Sequence, residues 1–492
     1  MQFIAHKLED GKEQTIKEHS LNVAKLSSEF SVSELKSFAY TVGMLHDIGK
    51  YSDSFQKRIR GKDIHVEHSS SGAKEVINIL GSNMISIMAA YCIAGHHTGL
   101  PDGGNKTDIE EDGTLSGKLK REVEDYFSYK TELCMMGTDI DLLKNNIFKY
   151  LTEKLKEPQN PNEFLEQYAF ITKYIFSCLT DADFLDTERF CRQTNRNIKV
   201  NFSKCLDSIN KAISEKPSET KVQDARKVLQ SQAFSKVYNN ADIYYLNMPT
   251  GSGKTLCSMK FALERLRISG KKRIIYVIPY TSIIEQTAGV FESIFGSDVK
   301  ILQHHSNYSY DNNSGDSDDE STAEKMKRAT ENWDAPIIIT TNVQFFQSIF
   351  DYRGSRLRKL HNIADSIIIF DEVHLMPVPY LQPCIRAMGY ITRLLHSEIL
   401  FLTATMPNFA DLFDLYIPEV KVVDLVDDKS LFPIFKNCTY RYLGKCSLES
   451  ILEKSQNYES SLIIVNNRKN ARLMYSMCTG RKYHLSTYMT SH

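Results

Sequence analysis

YYLNMPTGSGKTLCSMKFALERL, residues 244–266, decides how half of this chain folds. An apolar run ends in a glycine-rich turn, and a helix-length segment with apolar residues at three- and four-residue steps follows. That is the strand–loop–helix setting a phosphate-binding loop requires. Gly251 and Gly253, with Ser252 between them, let backbone N–H groups close around phosphates. Lys254 is placed to reach the β and γ phosphates, and the Thr255 hydroxyl to ligate Mg²⁺. The general pattern G-x-x-x-x-G-K-T has a glycine where this chain has Met248, but the glycines nearest the phosphates are kept. A glycine-rich turn beside a solvated lysine is the plainer alternative, and the flanking strand and helix argue against it.

Outward from this loop the texture repeats. RIIYVIP, APIIIT, SIIIFDEV, EILFLTAT and SLIIVNN are short, nearly continuous apolar runs separated by helix-length segments. They predict a parallel sheet covered on both faces. IIIFDEVH (367–374) is a buried strand ending in two carboxylates. Asp371 suits Mg²⁺, and Glu372 suits orienting and deprotonating a water. FLTATMP (401–407) ends a further strand in hydroxyls. Upstream, residues 1 to about 212 read as mostly helical, as in the stripe Ile16, Val23, Leu26 and Phe30. SEKPSET (214–220) reads as a linker, and YSYDNNSGDSDDEST (308–322) as a polar, acidic surface insert. The expected domains are therefore 1–212 (all-α), 213–425 (α/β) and 426–492, the start of a second α/β lobe.

Composition narrows the class without naming it. At 492 residues, 42% hydrophobic and 25% charged, the chain fits a soluble protein of two to four domains. Sixty basic residues balance sixty-one acidic ones, so any nucleic-acid contact must come from local patches. No apolar run approaches the roughly 18 residues that cross a bilayer, and MQFIAHKLEDGKEQ lacks a signal-peptide core. Ten cysteines without a C-x-x-C pair suit free thiols in a reducing cytoplasm, the expected location.

The helical half carries a scattered set of metal-ligand residue types. His19 falls on the apolar stripe of its helix; His46 and Asp47 lie in GMLHDIGK, His68 in VEHSSSGA, and His96 and His97 in IAGHHTGL. His65 rivals His68, whose small-residue context favours it. In SCLTDADFLDTE, the spacing Tyr174, Cys178, Asp181, Leu185 turns Asp181 inward and leaves Asp183 facing elsewhere. For any one histidine, a satisfied core histidine is the simpler explanation. An ionised carboxylate on an apolar stripe, however, is costly unless it is paired or binds a metal, and converging imidazoles do not serve it without an ion.

From about residue 225 onward the chain resembles the superfamily-two DExH helicases. By that resemblance, Thr403, Ala404 and Thr405 couple hydrolysis to lobe movement. IPYTSIIEQT (278–287) and TTNVQFFQSI (340–349) resemble strand-gripping segments of the first lobe, and NNRKNA (466–471) and HLSTYMTSH (484–492) early motifs of the second. Gln230 lies roughly where that family reads adenine. Residues 15–190 resemble the HD phosphohydrolases, which bind one or two ions through His…His-Asp…His…His…Asp. This implies ligands at His19, His46, Asp47, His68, His96, His97 and Asp181, with Asp47 bridging and Lys50 aiding the phosphate. Imidazole-rich ligation favours Mn²⁺, Co²⁺, Ni²⁺ or Fe²⁺ there, and Mg²⁺ with ATP in the other half.

The two halves in this order resemble the CRISPR-associated helicase-nucleases of type I systems. The resemblance implies recruitment to an R-loop by a guide-RNA surveillance complex, 3′ to 5′ translocation, and cutting of single-stranded DNA. It also implies that the family's arginine-bearing final motif falls beyond His492, so slow ATP turnover and no unwinding are expected of the chain alone. Two other readings stay open: an HD nucleotide phosphohydrolase fused to a repair helicase, and a translocation-dead DNA-binding fragment. The HD half, 1–212, is expected to act without the other.

Overall fold

The computed structural model describes residues 2–133, 140–154, 161–192, 200–296, 299–305, 328–405 and 407–486. The whole acidic insert (308–322) and the last six residues lie outside them. Two compact units result, Met1–Phe435 and Lys436–His492.

The first unit opens with a small antiparallel pair, β1 (Ile4–Lys7) and β2 (Glu13–Thr15), followed by helices. Thr15 caps helix Ile16–Phe30 through a reciprocal box with Glu18, which fixes where that helix begins and so which face His19 takes. Helix Lys36–Leu45 packs on it, helices Ser69–Leu80 and Met84–Gly95 pack on each other, and the long helix Pro161–Arg192 contacts both Ile16–Phe30 and Met84–Gly95.

Seven parallel strands form the sheet: β3 (Ile243–Asn247), β4 (Arg273–Ile278), β5 (Leu302–His304), β6 (Ile337–Thr341), β7 (Ser366–Phe370), β8 (Glu398–Thr403) and β9 (Val422–Asp424). Their order is β5-β6-β4-β7-β8-β3-β9. Nearly every residue of the central strands is buried, because helices cover both faces and leave no solvent side to alternate with. The carboxyl ends of β3, β7 and β8 lie side by side, which brings the glycine-rich loop, Asp371–Glu372 and Thr403 to one edge.

Three expectations need correcting. SEKPSET does not separate the halves: helix Phe202–Ser214 before it packs on helices Lys254–Ser269 and Thr281–Phe295, and its Cys205 and Ile209 join the sheet's core. The sheet half therefore begins near Val200. Nor is each half built on its own core. One buried apolar cluster runs from Ile16 and Val23 through Ile171 and Ile175 to Phe345, Leu360 and Ile363. Finally, SLIIVNN forms no strand. Leu462 and Ile464 are exposed, and the described residues of the second unit hold two helices, Leu448–Ser455 and Arg468–Met477, and no strand to hydrogen-bond with it.

Candidate metal centre and nucleotide site

In the helical half, imidazoles from four segments converge on one carboxylate. Asp47 is fully buried just past helix Lys36–Leu45. Its Oδ1 lies 3.2 Å from His68 Nε2 and 3.4 Å from His96 Nε2; its Oδ2 lies 3.3 Å from both His19 Nε2 and His46 Nε2. Lys50 Nζ, one helical turn on, is 2.6 Å from Oδ2. His97 approaches His68, Nε2 to Nε2, at 2.8 Å. Two groups able to hold an ion result: Asp47, His68, His96 and His97; and His19, His46 and Asp183.

The outer nitrogens explain why the inner ones face the carboxylate. His46 Nδ1 and His96 Nδ1 donate to the carbonyls of Gly43 and Ile93 at 2.7 Å, which leaves each Nε2 with its lone pair toward Asp47. His19 Nδ1 donates to Asp186 Oδ2 at 2.8 Å, and Gln14 and Asn22 donate to the same carboxylate. Asp186 thus orients a ligand from behind.

Asp181 does not belong to this cluster. It accepts from Arg358 Nε at 2.8 Å and Asn332 Nδ2 at 2.9 Å, both on the sheet half. Asp183 takes the expected place, 3.3 Å from His19 Nε2 and 3.9 Å from His46 Nε2. The stripe argument found a buried face but assumed a single interior. Helix Pro161–Arg192 is covered on one side by the other helices and on the other by the sheet half. Residues two apart point about 200° away from each other, so Asp181 and Asp183 enter different interiors. His65 is exposed and outside the cluster. His6, on β1, has no sequence periodicity to mark it; its ring packs edge-on to His19 at 4.7 Å.

Electrostatics fit a cation. Burial opposes ionisation of Asp47, but His46 and Lys50 outweigh it and hold the carboxyl well below its usual range. Burial would also lower His19, yet hydrogen bonds to Asp183, Asp186 and Asp47 carry it up to about 10. Burial keeps His68 and His96 down, and burial with His96 brings His97 to about 4, so these imidazoles are neutral donors. His19, His46 and His96 Nε2 and both Asp47 oxygens are buried without a well-aligned hydrogen bond among the described residues. Such a set of inward ligand atoms suits a divalent transition ion, which would displace the His19 Nε2 proton, and is otherwise costly.

At the sheet edge, Gly251 (φ +83°) and Gly253 (φ +86°) adopt the left-handed backbone that the loop's tight path needs, and helix Lys254–Ser269 starts directly after them. Gln230, Arg226 and Gln223 join Gly251, Gly253, Lys254, Thr255 and Glu372 around a cavity of about 390 Å³. Arg226 Nη2 donates to the Gly251 carbonyl at 2.7 Å, and Gln230 Nε2 to that of Ser252 at 3.4 Å, bracing the loop from behind. Lys254 Nζ is buried, has no hydrogen-bond acceptor among the described residues, and lies 3.6 Å from Glu372 Oε1. Burial, then the neighbouring Glu372, raises Asp371 above the ordinary carboxylate range. His374 bridges the strand ends, 3.3 Å from Glu372 and 2.9 Å from Thr403 Oγ1.

Two family profiles match: HD domain over residues 16–125 and DEAD/DEAH box helicase over 227–413. The chain is an HD domain joined to a DEAD/DEAH box helicase domain. It is 24% identical to the CRISPR-associated nuclease/helicase Cas3 of Haloferax volcanii, over 75% of this chain and 46% of that protein. Over 192 residues the chain is also 26% identical to the human U5 small nuclear ribonucleoprotein 200 kDa helicase, covering 37% of this chain and 8% of that one. The crystal structure of T. fusca Cas3-AMPPNP shares the fold with a TM-score of 0.52 at 14% identity, over 82% of this chain and 50% of its own. The chain thus spans about half the length of these nuclease/helicases. No helix among the described residues is long and apolar enough to cross a membrane.

Proposed function

We propose that this chain works in a nuclease-helicase of type I CRISPR defence, cutting single-stranded DNA at the HD cluster and binding, at the sheet edge, the ATP that drives 3′ to 5′ translocation. One observation carries the reading: a buried carboxylate ringed by inward-facing imidazoles, in a domain joined to a complete phosphate loop and DExH strand. Similarity to a CRISPR-associated nuclease/helicase supports the pairing of nuclease with helicase in CRISPR defence; R-loop DNA and a surveillance complex are the partners this reading adds. Residues 436–492 would then begin the second lobe.

Asp47 offers Oδ1 to the His68–His96–His97 group and Oδ2 to the His19–His46–Asp183 group, the arrangement of a bridging ligand. A divalent pair held there would supply Lewis acidity and a strong nucleophile at neutral pH. Lys50 places a positive charge beside Asp47, at the wall of a cavity also lined by His6, Arg58, His68 and His97, where a scissile phosphate can be held. In the helicase site Lys254 receives the terminal phosphates, Asp371 and Thr255 suit Mg²⁺, and Glu372 orients water while His374 ties it to Thr403. Incubating the chain with single-stranded DNA and Mn²⁺, without ATP, should yield DNA fragments. Hydrolysis of deoxynucleoside triphosphates with intact DNA would contradict the reading.

A further inference from the structure

Asp181, displaced from the expected ligand set, holds a place that nothing in the nuclease chemistry explains. It is wholly buried, as are its partners Arg358, Asn332 and His361. Arg358 Nε and Asn332 Nδ2 donate to its two oxygens, and His361 Nε2 approaches at 3.5 Å. One turn earlier on the same helix, the Ser177 hydroxyl accepts from the His361 backbone N–H at 3.0 Å. The long helix thus presents one carboxylate to the helicase domain and, two residues on, another to the histidine cluster.

The helicase segment involved touches the nuclease centre twice. Leu100 N, three residues beyond His97, donates to the Tyr352 carbonyl at 2.9 Å. Gly99 between them has φ +99°, and a Cβ there would come within 2.9 Å of that carbonyl oxygen. Residues 352–361 therefore hold both the end of the HHTGL loop and the middle of the long helix. The same segment follows helix Asn342–Phe350, in the motif that resembles a strand-gripping element, and runs on into β7 and Asp371.

We infer that Asp181 and Arg358 are positioning residues of the nuclease: their ion pair fixes the long helix so that Asp183 reaches His19 and His46, making the helicase domain part of the metal centre's support. The inference rests on the metal-nuclease reading. A ligand constellation tolerates displacements of only about 0.5 Å, and loss of groups that orient ligands typically weakens metal binding about 10- to 100-fold. The pair also lies too deep to be a solvent-screened surface contact.

Mn²⁺ affinity of the full chain, measured by electron paramagnetic resonance titration, tests it. Arg358→Ala and the near-isosteric Asp181→Asn should each weaken Mn²⁺ binding about tenfold, with Arg358→Lys recovering part of the loss. Arg386→Ala breaks a second contact between the same helix and the helicase domain, the 2.6 Å pair with Glu166, far along the helix from Asp183. It should leave Mn²⁺ affinity unchanged, which separates positioning from general loosening of the interface. Should Arg358→Ala fail to fold, Asp181→Asn decides. Wild-type affinity in a folded Asp181→Asn chain overturns the inference, as does an equal loss in Arg386→Ala. A wild-type chain that binds no Mn²⁺ would instead remove the nuclease reading on which it stands.

Discussion

The two sites are built in opposite ways. The nucleotide site is local: seven consecutive residues from Met248 to Lys254 supply its loop, and two neighbouring strand ends complete it. The metal centre is assembled from five separate segments between residues 19 and 183, and exists only where those segments meet. A site made of contiguous backbone can be formed by one strand and one helix. A site made of distant side chains inherits every contact that sets helix against helix, including those reaching into the other domain.

That contrast predicts unequal sensitivities. The largest effect should come from Asp47→Ala, which removes the carboxylate shared by both ligand groups. DNA cleavage in Mn²⁺ should fall by about a thousandfold or more, with ATP affinity unchanged in a nucleotide-binding assay. Lys254→Ala should weaken ATP binding by about one to two orders of magnitude in the same nucleotide-binding assay while ATP-free cleavage stays intact. If cleavage of free single strands also collapsed, the local site would be governing the distributed one, and the comparison would break. Metal substitution comes next. Cleavage with Mn²⁺, Co²⁺ or Ni²⁺ should exceed that with Mg²⁺ by about tenfold, because imidazole nitrogens outnumber carboxylates; full activity with Mg²⁺ alone would mean the ligand set is wrong. The smallest change is expected of Gln230→Ala, a several-fold weaker ATP affinity from a side chain that braces the loop at long hydrogen-bond distance.

Legibility followed the same division. The glycine-rich loop, the Asp371–Glu372 strand end and four of the five apolar runs could be read from sequence because their signals are contiguous, and each became the predicted element. SLIIVNN failed because strand formation depends on a neighbour, not on its own residues. In the helical half, His19 was legible from its stripe, and His46–Asp47, His68 and His96–His97 from short motifs. Asp181 was misplaced because periodicity reports burial and not which interior is entered. Asp186 and His6 carry no sequence pattern, since one acts from behind a ligand and the other from a short strand. The boundary between the domains was misread for a related reason. A proline-containing polar stretch marks a break in secondary structure, yet the helices on either side of this one both pack on the sheet half.

Counting the ions bound to the purified full chain tests the central claim most directly, that Asp47 joins two groups of ligands into one metal centre. After equilibration with Mn²⁺ and removal of free ion, the wild-type chain should retain two ions outside the nucleotide site, and Asp47→Ala none. Retention of the same number by a folded Asp47→Ala chain, or of none by the wild type, would contradict it.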